Sequence, residues 1–296
     1  MLDNNSFQPA WGLSNPNLQT IVSSVGRKIM KPAWLDGFVQ RSERRHIHVQ
    51  GQHLTAQYDR SSQIDAALVM IIHGWLGSAD SSYVVATAHE LQRAGYHVAR
   101  LTLRDHGGTA DLNEGLFHSA MTDEVVAAAQ FIMDDFGRNT AGLVGFSMGG
   151  NFALRLAKHL PQLHTLAVCP AISPQHTVEQ IAGSVIYERY FMGKWQALWR
   201  QKQAAFPDLY DFSEMNQLGS IHTLTEVFIK EHTHFDDLQT YYAAYDLRGD
   251  VLDGVRATVL AAFDDPIIPA RHYDSCLLYT SPSPRDRTRS RMPSSA

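Results

Sequence analysis

The 296 residues suit one large α/β domain or two small ones, and the 44% hydrophobic content supplies a core for either. A net charge of −5 argues against a nucleic-acid partner. No apolar run approaches the ~20 residues that span a bilayer, so stable membrane insertion is not expected. Met1-Leu2-Asp3-Asn4-Asn5 has neither a basic nor an apolar leader region, so no signal peptide is read there. Two cysteines, Cys169 and Cys276, do not make a disulfide framework, which predicts a cytoplasmic protein.

From the N-terminus, Phe7-Gln8-Pro9-Ala10-Trp11 and Asn15-Pro16-Asn17-Leu18-Gln19-Thr20-Ile21 contain residues that ask for burial rather than linker composition. His46 to Tyr58 alternates polar and apolar around Gly51 and predicts a β-hairpin. Its histidines 46, 48 and 53 lack a carboxylate or cysteine pattern, so a solvated face is preferred to a metal site. Ala66–Ile72 is a continuous apolar run, as in a parallel strand buried on both faces, and leads into His73-Gly74-Trp75-Leu76-Gly77-Ser78. A helix follows over Ser82–Ala94, a strand from Gly95 to Leu101, and a loop at Arg104-Asp105-His106-Gly107-Gly108-Thr109. Thr122 is the expected N-cap of the next helix, with Asp123 and Glu124 in its first turn and Val125, Ala128, Ala129, Ile132, Met133 and Phe136 on its buried face.

The chain then reaches its most informative stretch. Ala141–Phe146 is an apolar strand, Asn151–Leu160 has helical spacing, and between them lies Gly145-Phe146-Ser147-Met148-Gly149. A Gly-x-Ser-x-Gly pentapeptide between strand and helix is the pattern of a nucleophile elbow. Flanking glycines let the two backbones pass closely, and the helix start aims free N–H groups at charge developing beside Ser147. Leu163–Cys169 is a further strand. Strands alternating with helices imply βαβ units and a mostly parallel central sheet with helices on both faces.

After Pro170 the alternation stops. Residues 171–254 are aromatic and charged, and Tyr187, Tyr190, Phe191, Trp195 and Trp199 fall at near-helical spacing. They predict either a small helical core or a helical lid whose aromatics line an acyl pocket, with different residues serving each. His232 and His234 read as structural. The sheet resumes at Ala257–Phe263 and meets Asp264-Asp265-Pro266-Ile267-Ile268-Pro269.

A serine hydroxyl needs a base to take its proton, and the base needs a buried carboxylate to orient it. When the order is serine, acid, histidine, the acid follows a late strand. Asp265 sits there and is preferred over Asp264 because the Asp-x-x-x-Pro spacing suits the turn. The oxyanion donors would be the backbone N–H of Met148 and that of Trp75 or Leu76. His73, which precedes the serine, is read with Gly74 as a supporting loop rather than as the base.

These motifs together resemble the α/β-hydrolase superfamily and, within it, the YheT-like branch of predicted esterases and hydrolases. The resemblance rests on Asn15 to Ile21, His73 to Ser78, Gly145 to Asn151 and Asp264 to Pro269, and spans residues 7–275. The first motif is the most specific to the branch. The resemblance implies an α/β-hydrolase fold with Ser147 as nucleophile and Asp265 as acid. It also implies a carboxylic ester hydrolase working through an acyl-serine intermediate on a small-molecule acyl ester or lipid-like substrate, with no metal and no organic cofactor. In such enzymes the base follows the acid by a few tens of residues. Here only His272 follows Asp265, too soon to return to Ser147, and it is read as a surface residue. No catalytic histidine is therefore assigned in this chain.

The tail offers a reason. Residues 276–296 shift abruptly to Ser, Pro and Arg, and codons for Cys276–Asp286 and Ser290–Ala296 can be written that match the two ends of a transposase sequencing adapter. The expectation is a non-native tail on a chain truncated at its C-terminal end. The expected organisation is an N-terminal family segment and hairpin over 1–60, the hydrolase core over 61–170, a helical lid over 171–254, the core continued over 255–275, and the tail over 276–296. The chain itself would be nearly inactive. Thioester hydrolysis or acyl transfer at the same site, or a binding protein that keeps the pocket without the chemistry, are the rival readings. Nucleotide binding is disfavoured, since neither a Gly-x-Gly-x-x-Gly nor a Gly-Lys-Ser/Thr loop is present.

Overall fold

The computed structural model describes residues 11–12, 14–29, 32–262, 264–275 and 280–282. Most of the tail and the Phe7-Gln8-Pro9-Ala10 stretch lie outside them. The continuous apolar runs form the centre of one sheet. Strands β3 (Leu68–Ile72), β4 (His97–Thr102), β5 (Ala141–Phe146) and β6 (Leu163–Val168) are parallel, as is β7 (Ala257–Ala261). The hairpin is β1 (Glu43–Val49) and β2 (Gln52–Asp59), turning at Gln50 and Gly51, and β2 joins the sheet antiparallel to β4. Residues Thr280–Pro282 add a three-residue strand, β8, parallel to β7. The order is β1-β2-β4-β3-β5-β6-β7-β8. This is the mostly parallel α/β-hydrolase sheet.

Helices α1 (Pro16–Ile29) and α2 (Leu35–Arg41) precede the hairpin. Helices α3 (Ser82–Arg93), α4 (Thr122–Asp135) and α5 (Met148–His159) make the crossovers between parallel strands. Val125, Ala128, Ala129, Ile132 and Met133 of α4 are buried against the sheet, as their spacing predicts. Thr122 is not the N-cap. It is the first helical residue, and its hydroxyl accepts a hydrogen bond from Arg155 Nη1 at 2.6 Å, so a tertiary partner takes the oxygen that a cap would use. A fully buried Arg100 ties the hairpin to the core through Asp59 at 2.8 Å, the carbonyl of Ala79 and the Ser42 hydroxyl.

Between β6 and β7 the chain builds four helices, α6 (Pro174–Ala182), α7 (Val185–Ala205), α8 (Ile221–His232) and α9 (Leu238–Ala243). They share an apolar cluster that includes Trp195, Trp199, Phe212 and Phe228. One side chain on α7 breaks the apolar pattern. Lys202, fully buried, donates to Asp105 Oδ1 at 2.9 Å and to the carbonyls of Asn113 at 2.5 Å and Gly115 at 3.0 Å. Asp105 also accepts the N–H of Phe117 through Oδ2 at 2.8 Å. The loop after β4 and the helical insertion are therefore locked by an ion pair whose donors and acceptors are satisfied on both sides.

Candidate active site

Ser147 stands at the junction of β5 and α5, and α5 begins at Met148, directly after the serine. Its backbone is held at φ 55 and ψ −116, outside the regions an L-residue ordinarily adopts. The surroundings show why the neighbours are glycines. A Cβ on Gly145 would lie 2.2 Å from the Gly149 carbonyl oxygen, and one on Gly149 would lie 2.3 Å from that of His73. Strand β5, helix α5 and the loop after β3 touch backbone to backbone there. The turn is pinned by Ser147 N–H to the carbonyl of Val168 at 2.9 Å and by the Asn151 and Ala171 N–H groups to the Ser147 carbonyl.

Gly74 abuts the serine: a Cβ on it would sit 3.3 Å from Ser147 Cβ. The next residues, Trp75 and Leu76, therefore run beside Ser147, and Leu76 takes φ 55. The carbonyl of Leu76 accepts from Lys194 Nζ at 3.0 Å, so α7 holds this loop from above. The first-turn N–H groups of α5, Met148 among them, have no partner within the helix. His73 is fully buried below. Its Nδ1 lies 2.8 Å from the Gly74 carbonyl and its Nε2 accepts the Leu103 N–H at 3.1 Å. That pair of bonds places the proton on Nδ1 and braces the loop. Burial pushes the His73 imidazole down to about 3, with His106 beside it adding to the effect.

One cavity of about 580 Å³ gathers these residues. Gly74, Trp75, Leu76, Ser147 and Met148 line it, and so does Asp265 from the turn after β7. Asp265 Oδ1 accepts the N–H groups of Ile267 and Ile268 at 2.8 and 2.9 Å, which fixes the carboxylate. Asp264 is exposed and does not line the cavity. Much of the rest of the wall comes from the helical insertion, which contributes aromatic rings such as Phe191, Trp195 and Phe228. Phe191 stacks on Trp75, and Trp195 meets Trp75 edge-on. The aromatic stripe of α7 thus divides: Trp199 is 1% exposed and belongs to the core, Tyr190 is 46% exposed at the rim, and both also face the cavity.

Among the described residues no histidine hydrogen-bonds to Ser147 or to the Asp265 carboxylate. His272 is not the surface residue expected. It is 3% exposed, and its ring lies 5.3 Å from that of His176. The short 3-10 turn over Ala270–Ser275 folds it inward instead of presenting it on a helix. Also among the described residues, no three His, Cys, Asp or Glu side chains group to hold a metal. His48 and His53 simply stack across the hairpin, and His232 packs with Tyr210, Phe212 and Phe228.

The sequence pattern did not single out three further contributors. His106 and His118 line the cavity, and burial pushes each down to about 4, so both stand neutral there near neutral pH. Thr20 reaches it from α1, where Asn17 accepts a hydrogen bond from the Tyr187 hydroxyl of α7 at 2.9 Å. The Asn-Pro-Asn-Leu-Gln-Thr motif was the available signal. Its residues meet the site only across a separation of 170 positions.

Known proteins agree with this architecture. The α/β hydrolase fold family profile matches residues 67–212. The chain is 25% identical over 243 residues to a candidate esterase of Escherichia coli, YheT, covering 79% of this chain and 66% of that protein. It is 26% identical over 131 residues to a candidate esterase/lipase of Haemophilus influenzae, covering 44% of this chain and 43% of that protein. The chain thus spans less than two thirds of the length of these curated relatives. In structure it resembles a serine hydrolase of the polyaromatic-hydrocarbon-degrading bacterium Cycloclasticus zankles, with a TM-score of 0.54 at 17% identity, covering 82% of this chain and 89% of that one. With its parallel sheet and its strained serine, the chain has the α/β-hydrolase fold, and it is similar to esterases of the YheT kind.

Proposed function

We propose that the native protein is a serine hydrolase of carboxylic esters, acting on a small-molecule acyl ester or lipid-like substrate in the cytoplasm. The observation that carries this reading is Ser147 at its strained φ of 55, at the start of α5 and open to an aromatic-lined cavity that Asp265 also reaches. In the proposed reaction Ser147 Oγ attacks the ester carbonyl carbon while its proton passes to a histidine base. The oxyanion takes hydrogen bonds from the N–H of Met148 and that of Trp75. The C–O bond breaks, the alcohol leaves with the proton, and water then hydrolyses the acyl-serine. Asp265 orients the base and steadies its imidazolium. Helices α6 to α9 act as the lid, and their aromatic side chains hold the acyl group.

The base is the part this chain does not supply, and we place it in the native gene beyond codon 275, where Cys276–Ala296 is read as adapter-derived. Sequencing the source gene across that codon tests the placement. A histidine a few tens of codons on completes the triad, whereas the same Ser-, Pro- and Arg-rich codons in the genome remove it. The activity itself is tested with a fluorophosphonate probe on the full gene product. Labelling that Ser147→Ala abolishes is the expected outcome, and absence of labelling in the full product favours a binding protein. The 296-residue chain should label slowly, because loss of a triad base typically costs about 10⁶ in kcat.

A further inference from the structure

Apolar side chains left in water are informative when they cluster at the rim of a site. Helix α7 opens with Val185 at 68% exposure and Ile186 at 60%, and Tyr190 one turn on is 46% exposed. On α1, Leu18 and Val22 are each 41% exposed. The two helices are joined by the hydrogen bond from Tyr187 to Asn17, and Tyr190 and Thr20 line the Ser147 cavity. The apolar rim is therefore continuous with an apolar cavity.

Its charge is equally uneven. The protein as a whole carries 30 acidic against 25 basic residues. Helix α1 has no acidic residue. Helix α7 has one, Glu188, whose carboxylate is turned inward to accept the Ile221 N–H at 3.0 Å. Arg189 and Arg200 stand on its exposed side. In a net-acidic protein, an exposed apolar rim flanked by the exposed Arg189 complements an anionic lipid surface rather than another acidic protein.

We propose that α1 and the first turns of α7 form a docking surface for an anionic lipid interface, so that a lipid acyl chain enters the cavity directly from the layer. Val185, Ile186, Leu18 and Val22 enter the acyl boundary, and Arg189 meets the headgroups. The attachment is peripheral, since no helix among the described residues is long and apolar enough to cross a membrane. It does not depend on the ester chemistry, and its test needs no turnover.

The test is co-sedimentation of the full chain with vesicles of phosphatidylcholine and phosphatidylglycerol mixed three to one, against vesicles of phosphatidylcholine alone. Partition onto the anionic vesicles that weakens in high salt is expected. Val185→Ser with Ile186→Ser should weaken it at least about tenfold, because each removes an inserted aliphatic side chain. Arg189→Gln should weaken it about fivefold on the anionic vesicles only. Circular dichroism shows whether each variant is folded. If the α7 pair fails to fold, Leu18→Ser with Val22→Ser decides from the other helix. Absence of partition, or equal partition of wild type and folded variants, overturns the proposal. A dimer in sedimentation equilibrium that the α7 variants dissolve, without vesicle binding, also overturns it and assigns the face to a second copy of the chain.

Discussion

The residues around Ser147 are constrained by contact rather than by chemistry alone. Gly149 is a poor helix former in the first turn of α5, and it stands there because its α-carbon hydrogen faces two carbonyls. An alanine Cβ would lie 2.3 and 2.4 Å from the carbonyl oxygens of His73 and Ile72. Overpacking ordinarily costs about 1–3 kcal/mol, and here the opposing atoms are backbone that cannot rotate away. Gly149→Ala should therefore lower thermal stability by more than that range or prevent folding, whereas Ser147→Ala should melt near the wild type. Thermal melts of the two variants check this, and a Gly149→Ala protein with unchanged melting temperature would refute the close approach. This part of the site was legible in the sequence. Strand, glycine, serine, glycine and helix are neighbours along the chain; Gly145 clears the nearby Gly149 carbonyl, whereas the atoms that exclude a Cβ on Gly149 come from the end of β3.

Between elements the decisive contact is the buried pair of Lys202 on α7 and Asp105 after β4. Burial pushes the Asp105 carboxyl up and the Lys202 ammonium down, and each partner's charge opposes the effect on the other. Removing one member of such a pair leaves the other charged and unpartnered, at a cost of about 3–5 kcal/mol, whereas replacing both with neutral groups is often far milder. Lys202→Met should thus destabilise strongly, and adding Asp105→Asn should recover a large part. Denaturant midpoints of the single and double variants test it. Additive losses would show that the two side chains are not coupled. None of this was legible beforehand. Arg104-Asp105-His106 read only as a loop, and Lys202 lies on a helix whose readable signal was its aromatic spacing. The residues are 97 positions apart, and only the packing of α7 over the sheet brings them together.

The whole molecule carries a pH signature. His73 and His106 are fully enclosed, and burial pushes them from the ordinary 6.5 to about 3 and about 4. Below about pH 6.5 the unfolded chain takes up protons that the folded protein refuses, so stability falls as pH falls through that window and is full above it. Each such histidine contributes a slope of up to about 1.4 kcal/mol per pH unit. Asp105 and Glu124, pushed up by burial, bind protons more readily folded than unfolded and soften the loss at the acid end. The melting temperature should therefore drop between about pH 7 and about pH 5, and His106→Gln should make the drop shallower. A flat or rising profile over that interval would contradict the burial of these imidazoles. The cavity offers a second measurement at this scale. Trp75, Trp195 and Trp199 line it, so a long-chain acyl ligand should change tryptophan fluorescence, and Phe228→Ala should alter that response.

What the sequence determined by itself was everything that depends on near neighbours: the parallel strands from their unbroken apolar runs, the hairpin from its alternation, and the elbow from its glycines. It also pointed to Asp265 through strand position and chain order. Hydrogen-bond periodicity acts over a few residues, so it is written in the order of the residues. The tertiary structure decided the rest. It selected Thr122 as a partner of Arg155 rather than a cap, turned His272 inward, gave Asp105 its buried lysine and brought the Asn15–Ile21 motif beside α7. Each of these depends on sheet order and on which helix faces lie over which strands. The period of a segment specifies that a face is buried, but not which distant side chain will be waiting there.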